Sequence, residues 1–112
     1  MILPRRLAAY EVIAMSRAEL MEKLRRDGRF NQESCTHWAG MADLLSVFDA
    51  IGRDGTNAIV KIDGARGADC AYTVLVSGGR LGDSFFRKDG ASLPDLLLEA
   101  IEFYDANGWA KG

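Results

Sequence analysis

Residues 57–90, NAIVKIDGARGADCAYTVLVSGGRLGDSFFRKDG, decide the fold. Three short runs rich in β-branched and aromatic residues, Asn57 to Asp63, Asp69 to Ser77 and Leu81 to Lys88, are separated by Gly64-Ala65-Arg66-Gly67 and Gly78-Gly79-Arg80. Such side chains fit a pleated surface and glycine permits tight turns, so the stretch predicts an antiparallel meander. Alternation puts Val60, Ile62, Tyr72, Val74, Val76 and Phe85 on one face and Ile59, Leu75 and Phe86 on the other. A sheet with one wet face shows a cleaner polar side than this. The second face is therefore expected to be covered by the N-terminal helices or to meet a partner.

On both sides of the meander the apolar period becomes helical. Upstream, Trp38, Met41, Leu44, Leu45, Phe48 and Ile51 recur at helical spacing from His37, and Gly52-Arg53-Asp54-Gly55 supplies a stop. Downstream, Asp89-Gly90 turns the chain into Ser92-Leu93-Pro94-Asp95. Here Ser92 caps, Pro94 occupies the donor-free first turn and Asp95 favours the positive helix end. Leu93, Leu96, Leu97, Ala100, Ile101 and Tyr104 then form a buried stripe, with Asn107-Gly108 as the stop.

Nearer the N-terminus, Leu3, Leu7, Tyr10 and Ala14 recur at helical spacing, and Ser16-Arg17-Ala18-Glu19 reads as a capping box before Leu20, Met21 and Leu24. Two short helices, or one from about Arg5 to Arg26, satisfy this pattern. Asp27-Gly28 ends it either way, and Arg29 to Thr36 reads as a connector without period. The expected fold class is α+β: N-terminal helices, then a helix, a three-stranded antiparallel meander and a C-terminal helix packed on the sheet. One domain over residues 1–112 is expected, with a helical segment over 1–28 and an αβββα core over 37–108.

A chain of 112 residues is long enough to bury roughly two thirds of its unfolded surface without a staple. The formal charge of -2 argues against a large electrostatic footprint for nucleic acid or anionic lipid. No apolar run approaches the roughly 20 residues that span a bilayer. Met1-Ile2-Leu3-Pro4-Arg5-Arg6 has its basic pair on the wrong side of its apolar residues for an export signal. Cys35 and Cys70 are isolated, which predicts packed thiols in a reducing, cytoplasmic setting.

A cysteine nucleophile needs a base within hydrogen-bond reach, and Cys35 and His37 are the one close thiol–imidazole pair, without a recognised catalytic spacing. One histidine and two distant cysteines supply no familiar zinc set. Asp54, Asp63, Asp69 and Asp89 stand beside separate glycines and read as turn formers. Gly78-Gly79-Arg80-Leu81-Gly82 precedes a strand, whereas a phosphate cradle precedes a helix. Catalytic, cofactor and metal sites are all expected to be absent.

From His37 onward the order helix, three strands, helix resembles that of double-stranded RNA-binding domains, which read RNA by shape. In that family lysines open the second helix and meet phosphates. Here the helix opens Ser92-Leu93-Pro94-Asp95-Leu96-Leu97-Leu98-Glu99, with acids that repel them. The resemblance covers element order only and transfers no residues.

Elimination leaves a small non-enzymatic protein-binding domain: an inhibitor, immunity protein or adaptor that occludes a partner surface. Candidate contacts are the acidic Glu99, Glu102 and Asp105 of the last helix and the basic Arg66, Arg80, Arg87 and Lys88 around the strands. The alternative is nucleic-acid binding through those basic residues; a homodimer through the second sheet face also fits the pattern.

Overall fold

The computed structural model describes residues 15–110. The helical reading of Leu3 to Ala14, and with it the choice between one N-terminal helix and two, lies outside the described residues. The chain divides after Trp38 into two compact units.

In the first unit, α1 (Arg17–Arg26) begins at the capping box, with Ser16 and Glu19 each accepting from the other's backbone N–H. It ends at Asp27, and Gly28 follows at φ 77°. None of its residues is fully buried. The connector holds an element that periodicity missed. The helix α2 (Gln32–His37) is opened by a reciprocal cap between Asn31 and Ser34. The signal was local: Asn31 and Ser34 are cap formers three residues apart, with no apolar stripe behind them.

The second unit carries the α+β fold. Its first helix, α3 (Met41–Arg53), starts four residues later than the apolar period suggests because Gly40 at φ 85° breaks the chain there. Trp38 consequently belongs to the other unit. The strands β1 (Asn57–Ile62), β2 (Tyr72–Ser77) and β3 (Phe85–Gly90) form an antiparallel meander in the order β1-β2-β3, followed by α4 (Leu93–Tyr104). Residues expected to open the second and third strands form 3₁₀ turns instead, Ala68–Cys70 and Gly79–Leu81. At the other end β3 runs through Asp89-Gly90, which is strand and not turn.

The ladder sets the faces. Ala58, Val76 and Phe86 form one rung, Val60, Val74 and Lys88 the next, and Ile62, Tyr72 and Gly90 the third. These rungs look toward the helices: Phe86 meets the Phe103 ring of α4 at 5.9 Å, and Lys88 pairs with Glu99 of α4. Phe85 therefore belongs with Ile59 and Leu75, and half-buried Phe86 with the helix-facing rungs, the reverse of the alternation reading. Helix α4 packs on β2 and β3, and α3 packs on β1 and α4.

Val74, Val76, Ile51 and Leu97 are completely buried between these layers. Each such side chain stabilises by about 1.5–3 kcal/mol. The half-exposed Lys88–Glu99 pair, 2.7 Å apart, contributes about 0.2–1 kcal/mol. Apolar burial holds the layers, and the ion pair trims their edge.

Beyond α4 the chain does not stop at Asn107-Gly108. It continues as a π-helical turn, Asp105–Trp109, which brings Trp109 edge-on to Tyr104 at 5.0 Å between ring centres. Gly108 makes this return fit: a β-carbon there would lie 2.7 Å from the Tyr104 ring.

Candidate binding surface on the open sheet face

The sheet face turned away from α3 and α4 is built from three rungs: Asn57–Ser77–Phe85, Ile59–Leu75–Arg87 and Lys61–Thr73–Asp89. Because β2 is locked by Val74 and Val76 on the reverse side, these side chains stand on a fixed backbone. The face is apolar toward one end and charged toward the other. Ile59 is 49% and Phe85 61% exposed, and half-buried Leu75 lies directly opposite Ile59 and diagonal to Phe85.

At the charged end Arg66 reaches in from the β1–β2 loop and donates to Thr73 Oγ1 at 3.0 Å and to Asp89 Oδ2 at 2.6 Å. Thr73 donates to the other oxygen of Asp89, and Arg87 approaches the same carboxylate at 3.4 Å. The Arg66 guanidinium, then the Thr73 hydroxyl, hold the Asp89 carboxyl down to about 2. Lys61 lies 3.5 Å from Asp63. Every cation on the face thus has a carboxylate partner.

A second polar cluster joins the far ends of the helices. The Tyr104 hydroxyl donates to Asp54 at 2.6 Å, lies 2.9 Å from Thr56 Oγ1, and Arg80 Nε meets the same Asp54 oxygen at 2.7 Å. The hydrogen bond from Tyr104 is the main cause of the lowered Asp54 pKa, and burial followed by that bond raises the Tyr104 pKa. This cluster ties the end of α3, the start of β1, the β2–β3 turn and α4 together, which is a structural task.

The candidate contacts read from the sequence are accordingly scattered. Arg66 and Arg87 converge on Asp89, Arg80 serves Asp54, and Lys88 lies on the helix side with Glu99. Glu102 and Asp105 are exposed. The acidic helix and basic strands meet through Lys88–Glu99 and do not form two free poles. Of the aspartates expected to be turn formers, Asp89 lies instead within β3, and Asp54 stands in the turn after α3 while also accepting from Tyr104. Asp63 does form its turn, accepting from the Ala65 N–H.

Cys35 is exposed, not packed, and Cys70 is half-buried. Cys35 and His37 are two residues apart on α2, a spacing that turns side chains away from each other. Among the described residues no group of three His, Cys, Asp or Glu side chains is placed to hold a metal ion, and no helix is long and apolar enough to cross a membrane.

Comparison with protein-family models, curated proteins and solved structures gives no match for this chain. The sequence marks this face as one to be covered or to meet a partner, but gives it Phe86 in place of Phe85. The pairing of Ser77 with Phe85 and of Val76 with Phe86 exchanges the two.

Proposed function

We propose that this chain is a small protein-binding domain whose contact surface is the open sheet face, and that it acts by occluding the surface of its partner, as an inhibitor, immunity protein or adaptor does. The observation that carries the reading is the apolar group of exposed Ile59 and Phe85 with half-buried Leu75 between them on the sheet, bordered by the Arg66–Asp89–Arg87 cluster. Interface centres are enriched in aromatic side chains and arginine, and charged rims give orientation. A pre-set backbone lowers the ordering cost of association.

The charges support a protein partner over a nucleic acid. Phosphate binding draws on cations free to neutralise it, whereas Arg66, Arg80 and Lys88 are each paired with a carboxylate and Arg87 shares Asp89 with Arg66. The acidic-helix version is weakened on the same ground, since Glu99 is bound to Lys88.

Affinity capture from a native lysate, with and without nuclease, tests the proposal with wild type and with Phe85→Lys. A stoichiometric protein that survives nuclease and is lost with Phe85→Lys is the expected result. Retention that depends on nucleic acid, or capture indifferent to both Phe85→Lys and Ile59→Lys, would overturn it.

A further inference from the structure

The large apolar side chains exposed in the second unit are unevenly placed. Leu45 on α3 and Ile59 and Ile62 on β1 share one edge of the fold, while Phe85 and Leu98 lie elsewhere. β1 is an edge strand, with β2 on one side. Alongside its other edge, which pairs with no strand among the described residues, runs an open groove of about 460 Å³, lined by Leu45, Phe48, Asp49, Gly52 and Arg53 of α3 and by Ala58 of β1.

An edge strand carries a row of backbone donors and acceptors that templates another strand, and proteins blunt such edges with charge. The two edges of this sheet differ in that respect. For β3, antiparallel pairing with its own copy centred on Arg87 or Lys88 sets Arg87 against Arg87 or Lys88 against Lys88. For β1, pairing centred on Ile59 sets Ile59 against Ile59, Ala58 against Val60 and Asn57 against Lys61, with no like charges opposed. Centring on Val60 would instead place Ile59 against Lys61. β1 is thus self-complementary in one register, whereas β3 opposes like charges in the two registers that pair most of its length.

We infer that β1 pairs antiparallel with β1 of a second copy of this chain, about a two-fold axis at Ile59, to give a continuous six-stranded sheet. On the helix side Val60 of the second copy faces Ala58, beside the groove. The α3 helices approach across the same axis. Their Asp49–Arg53 pairs, 2.7 Å apart within each copy, are self-complementary when the helices run antiparallel, because Asp49 of one copy then faces Arg53 of the other. On the open side Ile59 and Leu75 of both copies line up as one apolar row. The pairing does not depend on what the open face binds.

Sedimentation of the full chain over a wide concentration range is the test, with Leu45→Lys at the edge and Leu98→Lys as an exposed apolar control. Wild type and Leu98→Lys should dimerise alike, and Leu45→Lys should weaken the dimer on the order of tenfold or more. A Cys35→Ser, Cys70→Ser background carrying Ile59→Cys should oxidise to a covalent dimer, whereas Phe85→Cys should not. A wild-type chain that stays monomeric leaves the groove to an extended peptide and overturns the inference. So do a dimer indifferent to Leu45→Lys and equal cross-linking at positions 59 and 85.

Discussion

The Tyr104 hydroxyl and the Asp54 carboxylate, 50 residues apart in sequence, meet at 2.6 Å where α3 ends and α4 gives way to its π-helical turn. The same hydroxyl lies against buried Thr56, and Arg80 and Trp109 close the cluster. A polar group held this deep has no water to replace a missing partner, so its hydrogen bonds count for more than surface ones.

Tyr104→Phe keeps the ring against Trp109 and Gly108 but removes the hydroxyl from both Asp54 and Thr56. Hydrogen bonds to charged groups contribute about 1.5–3 kcal/mol, and buried Thr56 is left short of a partner. The expected outcome is a loss of about 2 kcal/mol in urea unfolding with an unchanged slope. A wild-type midpoint would show that the cluster does not hold the helix ends.

Gly79 sits at φ 54°, and a β-carbon there would lie 2.7 Å from Thr56 Oγ1 and 2.8 Å from the Gly55 carbonyl oxygen. Left-handed backbone costs a residue with a β-carbon about 1–2 kcal/mol before any clash. Gly79→Ala should therefore destabilise by more than about 2 kcal/mol, whereas Gly64→Ala, with open space around it, should cost far less. Thermal unfolding of the two variants side by side reads the difference, and equal melting temperatures would contradict it.

Asp89 makes the fold acid-sensitive with a defined sign. Its carboxyl titrates near 3.8 in the unfolded chain and is held down to about 2 in the fold. Between those values the unfolded state binds the proton first. The stability from the Arg66–Asp89 contact is fully present above the unfolded value and is lost as pH falls toward the folded one. Asp89→Asn should flatten the stability–pH curve in that window without abolishing its slope, since Asp54 and Asp63 are lowered as well. Urea melts from about pH 5 down to about pH 2 measure this, and an unchanged curve would remove Asp89 as a source.

What the sequence disclosed tracks the range of each interaction. The capping box at Ser16 and Glu19 and the Ser92 cap followed by Pro94 are decided within one helical turn, and both were legible. The strands were legible from β-branched residues, but their ends were not: Gly79–Leu81 closes a 3₁₀ turn that consumes Leu81 and delays β3 to Phe85. Phe85 and Phe86 are adjacent and equally apolar, so alternation cannot say which faces inward. The ladder decides it, by setting Val76 opposite Phe86. The Arg66–Asp89 and Arg80–Asp54 pairs join segments brought together only by the tertiary fold, which is why Arg66 and Arg80 read as free cations in the sequence.

The register also separates stability from binding at two neighbouring residues. Phe85 is 61% exposed on the open face, and Phe86 packs on Phe103. Phe85→Lys removes exposed apolar surface and should change unfolding free energy by no more than about 0.5 kcal/mol. Phe86→Ala removes a half-buried ring from against Phe103 and should cost about 1–3 kcal/mol. If the open face is the contact surface, the stable variant is the one that loses its partner. Phe85→Lys should unfold like wild type yet fail in affinity capture. Phe86→Ala, assayed at low temperature where it remains folded, should still bind. The opposite pattern, binding that survives Phe85→Lys and follows stability alone, would move the contact surface off the sheet.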